Sequence, residues 1–151
     1  MGDETRWTVR FGLCGKAALE PIRDATRART MFRLEWFFRA LTWGCLVLLA
    51  VLSLTPGDYM VRTGAPGDLE HFVAYLGTGV IASLGYARRT GYLALTALLC
   101  AYAGVLEIAQ NFAPGRHPDF FNFASSSAGA IAGMLLIRAW NRMARDRHQW
   151  R

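Results

Sequence analysis

Apolar residues along this chain fall into four blocks, at about residues 36–54, 72–87, 92–106 and 120–137. Short stretches rich in Gly, Pro and Arg separate them. At ~1.5 Å rise per residue each block covers about 22–28 Å of helix, and ~30 Å is needed to cross a bilayer core. The flanks of each block supply the difference. The pattern therefore predicts an all-α polytopic membrane protein, a compact bundle of four short transmembrane helices at about residues 36–55, 69–87, 92–111 and 120–138. A soluble bundle of buried helices is the alternative.

Punctuation along the chain agrees with four spans. The first is expected to stop at Leu52-Ser-Leu-Thr-Pro-Gly57, where proline and glycine end a helix. Spans two and three are expected to meet in a tight turn at Arg88-Arg-Thr-Gly91, and spans three and four at Pro114-Gly115. Trp36, Phe37 and Trp43 suit an interfacial belt, with Arg39 snorkelling among them, and Tyr59, Tyr86 and Tyr92 read as interface anchors. Ser125, Gly129 and Gly133 are spaced by four and form a ridge of small residues for close helix packing. The ridge admits another span of this chain or a second copy in a homo-oligomer.

Charge separates the two architectures. Of the 17 Lys and Arg, all but Arg62 and Arg116 lie in residues 1–39, in 138–151 or in the Arg88-Arg89 turn. Alternate loops thus carry the positive charge, as expected of a protein whose basic loops face the cytoplasm. Four spans put both termini on that side. The expected localisation is a bacterial cytoplasmic (inner) membrane, N-in and C-in. Residues 1–35 read as a basic cytoplasmic segment, either disordered or carrying a surface helix that starts at Pro21. Residues 36–140 are the membrane domain and 141–151 a basic cytoplasmic tail. The net charge of +6 is then mainly a topology signal, and no nucleic-acid partner is expected. Cys14, Cys45 and Cys100 show no paired spacing, so neither a disulfide nor a metal site is expected of them.

Polar residues inside the apolar blocks carry the candidate chemistry. A carboxylate at membrane depth costs several kcal/mol unless paired, hydrated or protonated, as a rough guide. Glu107 lies near the outer end of span three, and Gln110 and Asn111 follow it at i+3 and i+4. His71, Tyr75 and Thr78 share a face of span two. Arg116 and Asp119 lie in the outer loop, and Asn122 and Ser126 open span four. The topology brings these residues to one level, and a polar pocket between helices is expected there. An ion pair of Glu107 with Arg116 is expected within it. Serines 125–127 read as packing residues.

Taken in order, Leu52-Ser-Leu-Thr-Pro-Gly57, Glu70-His-Phe-Val-Ala-Tyr75, Leu106-Glu-Ile-Ala-Gln110, Pro114-Gly-Arg116 and Gly129-Ala-Ile-Ala-Gly133 resemble the VanZ-like membrane proteins, over about residues 40–138. The resemblance implies a small multi-pass bacterial protein of the cell envelope, in a family named for a link to teicoplanin resistance. It points to His71, Tyr75, Glu107, Gln110, Arg116, Asp119 and Gly129. Where members often read D-x-x-x-N-x-x-G, this chain has Asn122 and Ser126 ahead of Gly129, a less charged contribution from span four.

The functional expectation is an accessory or binding protein that holds a membrane lipid headgroup, a lipid-linked envelope precursor or a glycopeptide in the outer leaflet. An intramembrane enzyme acting on an envelope lipid and a proton- or ion-coupled carrier are the alternatives. No defined nucleophile, glycine-rich phosphate loop or metal-ligand spacing is visible, and no cofactor is expected.

Overall fold

A computed structural model of the protein describes residues 5–56, 64, 66–116 and 118–149. Every regular element among them is helical: α1 Thr5–Leu54, α2 Gly67–Thr90, α3 Tyr92–Ala109 closed by a single 3-10 turn Gln110–Phe112, and α4 Phe120–Gln149. The chain divides into two compact units, Met1–Glu35 and Trp36–Arg151. In the first, α1 runs from Thr5 without restarting at Pro21, so the expected short helix there is replaced by a longer one. α4 likewise continues through the basic tail to Gln149. Tyr59 lies outside the described residues.

Among the described residues, three helices are long and apolar enough to cross a membrane: Arg29–Leu54, Tyr92–Phe112 and Phe120–Arg147. α2, expected as a fourth span, is not among them. Its glycines, its hydroxyls and the charges Asp68, Glu70, Arg88 and Arg89 dilute its apolar content. Those charges suit the helix nonetheless, with acids in the first turn and bases in the last complementing the backbone dipole. Gly91 at φ 80° makes the reversal into α3 while its N–H caps the Ala87 carbonyl. Gly115 at φ 73° turns the chain between α3 and α4.

The second unit is organised around α2 against α4. A Cβ at Gly129 would fall on the Phe72 carbonyl and 3.1 Å from the Leu76 amide nitrogen. One at Gly133 would fall on the Leu76 carbonyl and 3.0 Å from the Val80 nitrogen, and one at Gly79 would lie 2.9 Å from the Ala130 oxygen. The expected small-residue ridge therefore packs backbone to backbone against α2 of the same chain. Residue numbers rise together along this seam, so α2 and α4 run in the same direction. α3 returns antiparallel, with Gly104 against the Phe123 ring. α1 joins through Tyr102, whose hydroxyl donates to the Leu46 carbonyl at 2.6 Å, and through Arg39.

Arg39 turns inward rather than snorkelling. It is buried, its Nε donates to the Gly85 carbonyl at 3.0 Å, and its guanidinium lies over the Trp36 and Tyr86 rings. A Cβ at Gly85 would lie 3.0 Å from the Arg39 nitrogen, so glycine is what admits the helix. Trp43 donates to the Tyr86 hydroxyl at 3.0 Å and Asn141 to the Tyr92 hydroxyl at 2.9 Å. An aromatic and basic cluster thus marks this end of the bundle.

Polarity is inverted relative to a water-soluble bundle. Val47, Leu48, Val73, Leu98, Val105, Ile108, Leu135 and Leu136 all point outward, each more than half exposed. Thr42, Ser53, Thr78, Ser83, Glu107, Gln110 and Ser126 are buried. Water would penalise that outer surface, whereas hydrocarbon does not.

Gly129→Leu should destabilise the purified protein by ~1–3 kcal/mol or more, because its side chain has only backbone to displace. Gly77→Ala, with open space around it, should stay within ~1 kcal/mol of wild type. Thermal unfolding in one detergent compares the two.

Candidate functional site

The seam that joins α2 to α4 also sets which side chains meet at its first turns. A Cβ on Gly67 would lie 4.0 Å from Asn122 Oδ1. One turn on, His71 Nδ1 and Ser126 Oγ are 3.3 Å apart. Ser126 is 2% exposed, and His71 is half-buried. Tyr75, a further turn along the same face of α2, is among the most buried side chains described. Glu107 comes from the last turn of α3, and it interacts electrostatically with both His71 and Tyr75. Arg116 also acts on His71.

Glu107 is buried, and what holds it there is the start of α4. Its Oε1 accepts the backbone N–H of Asp119 at 2.6 Å. A backbone donor of this kind is part of what offsets the desolvation of a carboxylate. Asp119 is in turn the N-cap of α4: its Oδ1 accepts the Phe121 N–H at 2.9 Å. An aspartate directly before an apolar helix is a capping signature that the sequence alone displays. Asp119 therefore sits beside the cluster as an exposed structural cap.

The expected Glu107–Arg116 ion pair is not formed. Arg116 reaches α1 instead, where Nη2 donates to the carbonyls of Leu52 at 2.9 Å and Ser53 at 3.3 Å. These carbonyls belong to the last turn of a helix, which has no intrahelical donors left for them. A cation there also suits the negative end of the dipole. Only the burial of a helix end, which sequence does not show, reveals this partner.

Asn111 leaves the face it was expected to share with Glu107. The chain tightens into its 3-10 turn at Gln110, so α-helical spacing no longer applies, and Asn111 is exposed with Nδ2 on the Ile108 carbonyl. Gln110 by contrast is 1% exposed. Tyr75 is buried to a similar degree. Arg116 Nε and Ser127 Oγ are buried without partners. Leaving a buried polar atom unpaired costs ~1–3 kcal/mol, so these two need an explanation. Among the described residues no three His, Cys, Asp or Glu side chains converge as metal ligands.

Asp119→Ala should cost about 1 kcal/mol through the lost cap, while Asp119→Asn should be nearly neutral because asparagine caps equally well. Arg116→Ala should destabilise more than Asp119→Asn, since it strips the α1 carbonyls of their donor. Unfolding midpoints of the purified variants check the order. Compared with protein-family models, with curated proteins and with solved structures, the chain matches none.

Proposed function

We propose that this chain is a four-span protein of the bacterial cytoplasmic membrane, with both termini inside, whose outer-leaflet polar pocket holds a lipid headgroup or a lipid-linked envelope precursor. The observation that carries the reading is a set of enclosed polar groups, the buried Tyr75 and Gln110 side chains with the unpartnered Arg116 Nε and Ser127 Oγ, inside a bundle with an apolar exterior. A ligand headgroup supplies what the two unpartnered atoms lack, and its chains extend along the lipid-facing surface.

The seam between α2 and α4 supports the fourth span. α2 has 24 residues, ~36 Å of helix, and lies in register beside an apolar helix that runs the same way. The alternation of basic loops supports the orientation. The aromatic and basic cluster of Trp36, Arg39, Trp43 and Tyr86 then lies at the cytoplasmic interface. The VanZ-like resemblance supports an accessory role in the envelope.

Binding is favoured over transport because the polar groups deeper in the bundle are satisfied locally. Thr78 donates to the Ala74 carbonyl, and Ser83 to the Gly79 carbonyl and Met134 Sδ.

Reporter tags at Gly115 should be accessible from outside the cell and tags at the C-terminus only from inside; the reverse result overturns the topology. A total polar lipid extract of the host membrane, titrated into delipidated protein, should raise the unfolding midpoint. Tyr75→Phe and Gln110→Ala should each weaken that effect about tenfold in lipid concentration, the worth of one buried hydrogen bond. Identical titrations for wild type and both variants would remove the pocket.

A further inference from the structure

The Ser126 hydroxyl meets a titratable side chain on the neighbouring helix. Ser83 and the helical threonines 42, 55, 78 and 96 donate to carbonyls four residues back on their own helices. The Ser126 hydroxyl is instead directed across the seam to His71 Nδ1, at 3.3 Å. The seam fixes this pairing, because Gly129 lies one turn below Ser126 and allows no slack between the backbones. A serine hydroxyl against an imidazole nitrogen is the arrangement that activates an oxygen nucleophile, and in unliganded sites such contacts are commonly loose. Glu107 and Arg116 both act electrostatically on the same imidazole, in opposite senses.

We propose that Ser126 is a nucleophile and His71 its general base, in acyl transfer from a lipid ester bound in the pocket. This rests on the pocket reading above. The Ser126 oxygen bonds to the ester carbonyl carbon as its proton passes to His71 Nδ1. The carbonyl electron pair moves onto oxygen, and the buried Tyr75, one turn along α2 from His71, and Gln110 are the candidate donors to it. Collapse of this intermediate expels the alcohol, which takes the proton from His71. Water then attacks the acyl-serine, with His71 again accepting and returning a proton, and releases the carboxylic acid. His71 must present Nδ1 as the acceptor, so the tautomer assigned is the Nε2–H form.

Acyl rather than phosphoryl chemistry follows from the donors. Tyr75 and Gln110 are neutral and suit one developing oxyanion. A phosphoryl group needs several cationic donors, whereas Arg116 has Nη2 on the carbonyls of α1 and its unpartnered Nε is a single donor. Ser126 is 2% exposed and His71 half-buried, so the proposal requires the ester to enter beside the imidazole.

An alkyl fluorophosphonate, whose phosphorus mimics the tetrahedral intermediate and loses fluoride to a serine, tests this on the full chain in nanodiscs. Intact mass should show one adduct, and peptide mapping should place it on Ser126. Ser126→Ala should abolish labelling, Ser83→Ala should leave it unchanged, and His71→Ala should slow it ~100-fold or more. His71→Asn, closer in shape, should be as slow as His71→Ala, which separates lost base chemistry from lost packing. Absence of an adduct, an adduct on another residue, or full-rate labelling of the histidine variants would overturn the proposal. Should wild type fail to label while the lipid titration still distinguishes Tyr75→Phe, the nucleophile is wrong and the pocket stands.

Discussion

Two helices lying backbone against backbone hold this molecule in register. Where Gly129 and Gly133 meet Phe72, Leu76 and Val80 there is no side chain to slide or repack. In a lipid environment burial of apolar surface does not drive helices together, so close van der Waals contact and interhelical polar contacts must do it. The seam between α2 and α4 supplies the first, and it aligns the second: His71 meets Ser126 because Phe72 meets Gly129. A shift of one residue along this seam would rotate His71 away by ~100° of helix.

The two ends of the bundle are finished differently. At one, Arg39, Trp36, Trp43 and Tyr86 interlock through a carbonyl bond, ring faces and an indole N–H. The Arg39 Nε and the Trp43 indole N–H both have their partners within the cluster. At the other, Glu107 and Asp119 tie α3 to α4 and Arg116 reaches α1, yet Arg116 Nε and Ser127 Oγ are buried without partners. The contrast between a closed cluster and an open one within a single small bundle is what directs attention to the second as the site.

Much of this was legible in the residues themselves. Pro56 and Gly57 placed the end of α1, which stops at Leu54, and Gly91 placed the α2–α3 reversal. The four-residue spacing of Gly129 and Gly133 announced close packing, though not against which helix, because a ridge of small residues carries no address. The expectation for Glu107 failed in an instructive way. Opposite charges nine residues apart across a turn invite pairing, but both groups found backbone partners instead, and backbone is invisible to a reading that matches side chains. Asn111 was misplaced because a 3-10 turn breaks α-helical spacing. α2 fell short as an apolar span for the same reason that it packs so well: the glycines that admit α4 and the hydroxyls that face inward lower its hydropathy. The VanZ-like resemblance drew on the same motifs and no comparison tests it further.

The Arg116 contact with α1 has a bearing on biogenesis. The arginine is made 64 residues after Leu52, whose carbonyl it occupies. At roughly 5–20 residues per second of translation, that is an interval of about 3–13 s. During this time the C-terminal turn of α1 is without this donor. The contact that ties the segment after α3 to α1 therefore forms late, once that segment has emerged from the ribosome.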